Sequence, residues 1–218
     1  MTTTPSTVSA PLSGRRAQAA RNDEAILAAA RAVYLDNPDA PISAVAERAG
    51  VGISALYRRF PSKEELLRKL CADGLAAYID AVRGALDSLS EGTDAWEALT
   101  GFFRSAVDAG SASLTTRLAG TFAPSEDLYR AATLADELNQ QLVERVRAAG
   151  VIRRDVEVAD LGLILEQIAA VRIGDEGRTN QLRHRYLTLM LDGLRPAATT
   201  ELPGPPPAPA ELAARWRV

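Results

Sequence analysis

Apolar residues recur at helical spacing through most of the chain, and glycine, proline or a polar turn interrupts each run. The pattern predicts about nine helices and no strand. The predicted helices span about residues 22–36, 43–50, 54–60, 62–89, 93–109, 111–119, 125–150, 156–173 and 178–194. The predicted fold class is therefore all-α, with a head of three short N-terminal helices attached to a larger C-terminal helical domain.

Residues 42–60 have the pattern of a helix-turn-helix. Ser43 can cap the first helix, and Gly50 can supply the positive φ that a tight turn between two helices needs. The second helix places Leu56 and Phe60 on one face and leaves a tyrosine and two arginines largely on the other, which suits entry into a DNA major groove. The same spacing also fits an ordinary helical hairpin with a solvated basic face.

Residues 49–67 resemble the recognition helix and the start of the fourth helix of the TetR family of bacterial transcriptional regulators. The resemblance rests on the motif Leu-Tyr-x-x-Phe-x-x-Lys-x-x-Leu, formed here by Leu56, Tyr57, Phe60, Lys63 and Leu66. It covers about residues 22–75 by motif, and the rest of the chain only by length and helical pattern. It implies a homodimeric regulator that binds a double-stranded DNA operator and a small-molecule effector.

The candidate DNA-binding residues lie at the starts of helices two and four and along helix three. They are Ser43, Ile53, Ser54, Ala55, Tyr57, Arg58, Arg59 and Lys63. The two arginines could reach guanine edges or phosphates, and the two serines lie where hydroxyl and backbone N–H groups can meet phosphate. The resemblance implies phosphate contacts for Tyr57 and Lys63. Relatives often carry threonine or serine at the position of Ala55, which offers no side-chain hydrogen bond here.

Composition and motifs divide the chain into four segments. They are a disordered basic arm at residues 1–20, a helix-turn-helix DNA-binding domain at 21–68, a helical effector-binding and dimerisation domain at 69–195, and a Pro-rich tail at 196–218. The end of the tail either forms a helical turn that docks Trp216 or frays. The formal charge is +3 over residues 1–70 and −6 over residues 71–218, as expected for a DNA-binding head on an acidic body.

An effector cavity in the body would be lined by aromatic and aliphatic side chains with a few polar groups. The candidates are Trp96, Phe103, Arg117, Leu118, Phe122, Leu138, Gln141 and Gln167. The apolar members could equally fill a core without leaving a cavity, so the existence of the effector site is implied by the resemblance alone. The implied effector is a small hydrophobic molecule.

The last two long helices carry more apolar surface than one core stripe requires. Such helices are either central in the fold or shared with a partner. The resemblance implies that the pair builds a four-helix interface with a two-fold mate. The candidate interface residues are Leu161, Ile164, Leu165, Ile168, Leu182, Leu187, Met190 and Leu191.

The sequence presents no residue set that indicates an enzyme, a cofactor site or a metal site. The single histidine, His184, has no cysteine or carboxylate cluster at ligand spacing around it. There is no phosphate-binding glycine loop or nucleophile elbow. The single cysteine, Cys71, excludes an internal disulfide, and no run approaches the roughly 18 apolar residues of a membrane span. We therefore expect a cytoplasmic protein without a membrane partner.

Together, these observations predict a sequence-specific DNA-binding transcriptional regulator, a repressor that the effector releases from a near-palindromic operator. Repression rather than activation follows from the resemblance alone. The alternative is a helical ligand-binding or scaffold protein of the same fold that does not bind DNA. The complete set of Tyr57, Arg58, Arg59 and Lys63 argues against this alternative.

Overall fold

The chain forms helices throughout the part that a computed structural model describes, which is residues 14–110, 118–197 and 200–216. The described helices are α1 Gly14–Asp36, α2 Ile42–Ala49, α3 Ile53–Arg59, α4 Lys63–Ser90, α5 Ala95–Asp108, α6 Glu126–Ala148, α7 Val158–Ala170, α8 Glu176–Asp192 and α9 Pro209–Ala214. These ranges contain no strand, which confirms the predicted all-α class. Most of the helix predicted at 111–119 lies outside the described residues. None of the described helices is long and apolar enough to span a membrane.

The sequence signals at the helix ends act largely as the pattern predicts. Ser62 Oγ accepts a hydrogen bond from the Glu65 backbone N–H at 3.1 Å and so begins α4. Gly50 ends α2 with φ of +65°, in the left-handed region that favours glycine. Ser43 is an exception, because α2 begins one residue earlier, at Ile42, and no side chain caps it. The prediction that Ser43 caps α2 is therefore wrong.

Two hydrophobic clusters organise the fold, and α4 contributes to both. The head cluster joins helices α1, α2 and α3 with the first half of α4. It includes the buried residues Tyr34, Leu56, Leu66, Leu67, Leu70, Cys71, Leu118 and Phe122. The body cluster joins the second half of α4 to α5, α6, α7 and α8 and includes the buried residues Val82, Leu86, Phe102, Phe103, Leu142 and Leu165. Because α4 is one continuous helix, it links the packing of the two regions.

The first helix is longer than predicted. It begins at Gly14, so residues 14–20 are helical and do not belong to a disordered arm. Residues 15–37 contain neither glycine nor proline and are rich in alanine, which has the highest helix propensity. Gln18 supports the extra turns, since its side-chain amide donates to Asn22 Oδ1 at 2.9 Å, four residues along the helix. Residues 1–13 lie outside the described part of the chain.

The Pro-rich tail also contains structure that the composition does not predict. Pro209 occupies the first turn of α9, where proline needs no backbone hydrogen bond. Glu211 Oε2 accepts from the Ala208 backbone N–H at 2.7 Å, which secures the start of this short helix. Trp216 then docks on Phe122, with ring centroids 6.1 Å apart in an edge-to-face arrangement. The docked alternative for the end of the tail is therefore the one observed.

Candidate functional site

The third helix exposes one continuous face. Leu56 is its one buried residue, with an exposed fraction of 0%, and anchors it in the head cluster. On the other side, Ile53 and Tyr57 remain 40% and 46% exposed despite their apolar character. Ser54, Arg58 and Arg59 are also exposed, and Ala55 is half-buried. The helix thus brings six of the predicted DNA-binding residues to one surface.

The two arginines of this surface differ in their contacts. The Arg59 guanidinium forms an ion pair with Asp23 of α1 at 2.6 Å, although its side chain stays 62% exposed. Within the described part of the chain, Arg58 forms no hydrogen bond or ion pair. An exposed ion pair contributes little free energy and can be exchanged for a phosphate. Arg58 is therefore the freer cation, and Asp23 holds Arg59 against α1.

Lys63 lies at the first position of α4 but points back into the head. Its Nζ donates a hydrogen bond to the Pro38 carbonyl oxygen at 2.9 Å and lies 5.1 Å from the centroid of the Tyr34 ring. The side chain is half-buried. Lys63 thus ties α4 to the connection between α1 and α2, a positioning role within the head that the motif did not indicate. Ser43 is exposed in the first turn of α2.

The predicted effector-binding residues do not line one cavity. Phe103 is buried in the body cluster, and Leu118 and Phe122 are buried in the head cluster. Trp96 stacks with the Arg195 guanidinium, 3.8 Å from its ring centroid. Leu138 is half-buried against the body cluster, whereas Gln141 and Gln167 are exposed on α6 and α7. Arg117 lies outside the described residues. The large apolar candidates fill cores because burying them removes the most apolar surface from water.

A different part of the body contains two adjoining cavities between α4, α6, α7 and the end of the tail. The smaller cavity, of about 130 Å³, is lined by Cys71, Leu75, Pro124, Leu128, Tyr129, Ala132 and Trp216. The larger cavity, of about 650 Å³, shares Tyr129, Ala132 and Trp216 with it. It extends to Asp136, Asn139, Gln140, Val158, Ala159, Gly162, Pro207, Leu212 and Ala213. The combined space suits a small organic ligand.

The polar groups of the larger cavity have distinct environments. Asn139 is buried, and its Oδ1 accepts a hydrogen bond from the Tyr78 hydroxyl at 2.9 Å. Burial raises the pKa of the Tyr78 hydroxyl above its ordinary range. Burial also raises the pKa of the Asp136 carboxyl. In the smaller cavity, burial raises the pKa of the Cys71 thiol to about 12, so this thiol stays protonated and unreactive at neutral pH.

Sequence reasoning missed these lining residues for an identifiable reason. Tyr129, Ala132, Asp136 and Asn139 follow one another at intervals of three and four, which is the spacing of a single helix face. That spacing could have identified the α6 wall. No local signal, however, places Trp216 opposite it, since it comes from a tail that the composition marks as extended.

The predicted dimer interface is mostly internal to the chain. Six of the eight candidates are buried within the monomer and so present no surface to a partner. They are Leu161, Leu165, Ile168, Leu182, Leu187 and Leu191. Ile164 is half-buried, and only Met190, at 37%, is exposed. The six buried residues pack α7 and α8 against the rest of the body, and their assignment to the dimer interface is corrected accordingly. The exposed apolar side chains of α8 are instead Tyr186, Leu189 and Met190.

A three-helix head with a helix-turn-helix on an all-helical body defines the class of helix-turn-helix transcriptional regulators. Residues 26–70 match the family model of bacterial regulatory proteins of the tetR family. Residues 94–196 match the C-terminal domain of SbtR-like transcriptional regulators, which is a TetR C-terminal domain. The chain belongs to the TetR family of bacterial transcriptional regulators. The family models leave residues 197–218 unmatched, so α9 and Trp216 lie beyond them.

Solved structures of TetR regulators share the fold. A TetR transcription regulatory protein from Mycobacterium vanbaalenii is 28% identical, with 83% of this chain and 99% of that chain covered and a TM-score of 0.51. SCO0520 from Streptomyces coelicolor is also 28% identical, with 80% and 99% covered and a TM-score of 0.51. LfrR from Mycobacterium smegmatis, solved with proflavine, is 22% identical, with 84% and 99% covered and a TM-score of 0.60. No curated protein matches the sequence.

Proposed function

We propose that the protein is a homodimeric repressor that binds a near-palindromic double-stranded DNA operator and leaves it when a small hydrophobic ligand binds the body. The observation that carries this proposal is the exposed face of α3, where Ile53, Tyr57 and Arg58 project from a helix anchored by Leu56. An exposed basic helix on a compact head suits major-groove recognition.

The contacts of the three cations in the head support a different proposed role for each. Arg58, which has no ion-pair partner among the described residues, is free to contact a guanine edge or a phosphate. Arg59 can exchange Asp23 for phosphate, because its own side chain is 62% exposed, whereas that of Asp23 is 24% exposed. Lys63 keeps α4 seated in the head and retains N–H groups for a phosphate.

The dimer surface in this proposal is the exposed side of α8. Tyr186, Leu189 and Met190 follow at spacings of three and one and form an apolar patch beside the buried stripe. A two-fold contact through this patch would present two copies of α3 to one side of a DNA duplex. Two heads one DNA turn apart require two related half-sites, which is why we propose a near-palindromic operator.

The coupling between ligand and DNA would pass through α4. Leu70 and Cys71 pack in the head cluster, and Cys71 also lines the smaller cavity together with Leu75, about one turn further on. A ligand that favours one position of this helix would change the spacing of the two heads and lower operator affinity. LfrR was solved in complex with proflavine, which supports a small-molecule ligand for a protein of this fold.

The test is selection of random duplex DNA by the purified protein, followed by sequencing of the bound pool. We expect enrichment of a near-palindrome, and loss of its binding when Arg58→Ala and Arg59→Ala are combined. Arg154→Ala is the matched control, because it removes an exposed arginine of the body. A pool without enrichment from ligand-stripped protein, or full binding by the double variant, would contradict the proposal.

A further inference from the structure

The wall of the two cavities changes from apolar to polar along α6. Leu128, Tyr129 and Ala132 line its N-terminal part, and Asp136, Asn139 and Gln140 line the part that follows. Leu128 and Asp136 are eight residues apart in the sequence, which corresponds to about 12 Å along the axis of a helix. A ligand that fills both cavities therefore meets an apolar surface at one end and hydrogen-bonding groups at the other.

Asp136 is the one ionisable carboxylate among the residues that line the two cavities. It forms no ion pair or hydrogen bond with the described residues. Glu166 on α7 differs in this respect, because its two carboxylate oxygens accept hydrogen bonds from the Arg215 guanidinium at 2.9 and 3.0 Å. The structure thus neutralises one acid beside the tail and leaves the other one open to a ligand.

The position of Asp136 favours a positively charged ligand. Its side chain is exposed where it lines the open larger cavity, so a ligand there can reach the carboxylate. The partial burial of the carboxyl raises its pKa, and no cation of the described residues compensates its negative charge. A ligand cation would provide that compensation and gain a charge-assisted hydrogen bond. A ligand carboxylate in the same place would be repelled by the like charge.

The apolar end is suited to a flat or chain-like hydrophobic group. Leu75, Leu128 and Trp216 surround the smaller cavity together with the thiol of Cys71, which burial keeps protonated. Trp216 is held in place from outside by the ring of Phe122 and by the neighbouring Arg215 ion pair. A hydrophobic group that enters here is enclosed by side chains from α4, α6 and the tail.

We propose that the two cavities bind an amphipathic cation, with a hydrophobic body against Leu75, Leu128 and Trp216 and a positively charged head group on the Asp136 carboxylate. This inference deepens the proposed function, since it assumes that the cavities hold the effector. It narrows the effector from a hydrophobic molecule to a hydrophobic amine or related cation. It makes Asp136 the residue that distinguishes cationic from neutral and anionic ligands.

The test uses three probes that share one skeleton, namely 4-phenylbutylamine, 4-phenylbutan-1-ol and 4-phenylbutanoate. Their binding to the full chain is measured by titration of Trp216 fluorescence in the Trp96→Phe background, which removes the other tryptophan. We expect the amine to bind about five- to tenfold more tightly than the alcohol, as one partly solvated ion pair allows, and the carboxylate to bind most weakly.

Asp136→Asn removes the charge and keeps the shape. The amine should then bind no more tightly than the alcohol, while the affinity of the alcohol stays within about twofold of its original value. Glu137→Gln is the matched control, since it removes an exposed acid one position along α6 that does not line either cavity. This variant should leave the preference for the amine unchanged. Far-ultraviolet circular dichroism checks that each variant is folded.

Three results would overturn the inference. They are equal binding of amine and alcohol by the starting protein, a preference that survives Asp136→Asn, and no binding of any probe up to its solubility limit. None of these results depends on DNA, so the inference and the proposed function can fail separately. If the protein selects an operator but shows no preference for the amine, the repressor proposal stands and the inference of a cationic ligand fails. If the protein prefers the amine but selects no operator, the inference of a cationic ligand stands and the repressor proposal fails.

Discussion

The head and the body cavities are built in opposite ways. The exposed face proposed to bind DNA comes from the seven consecutive residues of α3, Ile53–Arg59, and one buried leucine, Leu56, fixes its orientation. The cavities are assembled from α4, α6, α7 and a tail that follows them by many residues, and they leave space unfilled. The head also pairs Arg59 and Lys63 internally, whereas Asp136 in the cavity has no charged partner among the described residues. In the proposed function, the local surface of α3 would contact DNA and the composite surface of the cavities would bind the ligand.

The largest difference between the two regions should appear when the same substitution is made in both. Leu56→Ala empties a fully buried position in the head, and we expect it to lower the free energy of unfolding by about 3 kcal/mol and to abolish operator binding. Leu75→Ala enlarges a cavity that already exists, so its cost should be about 1 kcal/mol, with operator binding retained.

Urea denaturation and fluorescence anisotropy with labelled operator measure both quantities. The two variants delete the same atoms, so each one controls for the other. Equal losses of stability would show that the cavity wall is packed as tightly as the head and would remove the contrast.

Tyr34 is an exception within the well-packed head. Its ring is fully buried, and its hydroxyl has no hydrogen-bond partner among the residues that the structure describes. Tyr34→Phe removes this group and should raise the free energy of unfolding by about 1 kcal/mol at neutral pH.

The same hydroxyl should make the stability depend on alkaline pH. Burial, with a smaller contribution from Tyr57, raises the pKa of Tyr34 from 10.0 to about 12. Because the unfolded chain releases this proton first, ionisation of Tyr34 leaves the free energy of unfolding unchanged below pH 10 and lowers it as the pH rises towards 12.

Urea denaturation at neutral and alkaline pH tests both parts of this prediction. The variant should lose less stability on alkalinisation than the starting protein. Tyr129→Phe is the control, because it removes an exposed hydroxyl and should change neither value appreciably. A clear loss of stability in Tyr34→Phe at neutral pH would reveal a partner for the hydroxyl, such as a buried water.

The smallest expected effect concerns the ion pair that holds Arg59. Asp23→Asn releases the arginine and removes a negative charge beside the proposed DNA-binding surface, so operator affinity should rise about two- to threefold at low salt. The gain should shrink as salt screens the charges. Anisotropy titrations at two salt concentrations measure it, with Glu137→Gln as a remote acid control. Weaker binding by Asp23→Asn would show instead that the ion pair holds Arg59 in its DNA-binding position.

Much of the fold could be predicted because its signals are local. The run from Gly50 to Leu66 specifies a glycine turn, a short helix, a proline break and a capped helix within one stretch of chain, and the structure contains each of them. The start of α1 is an exception. An apolar stripe predicts a start at about residue 22, but the helix begins at Gly14, because the residues before 22 have high helix propensity without forming such a stripe.

The partners of each apolar stripe could not be predicted in the same way. The stripe that includes Leu161 and Leu165 is real, but periodicity does not distinguish a face that packs inside the chain from one that packs on a second copy. Phe103 and Phe122 are large and apolar, and this makes them core residues of two separate clusters. Only the packing of the whole chain shows which apolar residues have space beside them.

The sequence by itself determined most of the helices between residues 22 and 194, the turn at Gly50 and the set of residues on α3, because backbone propensity, capping and helical spacing act over a few neighbouring residues. Tertiary structure alone decided that Arg59 pairs with Asp23, that Lys63 turns into the head and that Trp216 closes a cavity against α6. These contacts join residues far apart in the chain, and their formation depends on how all the helices share the available apolar surface.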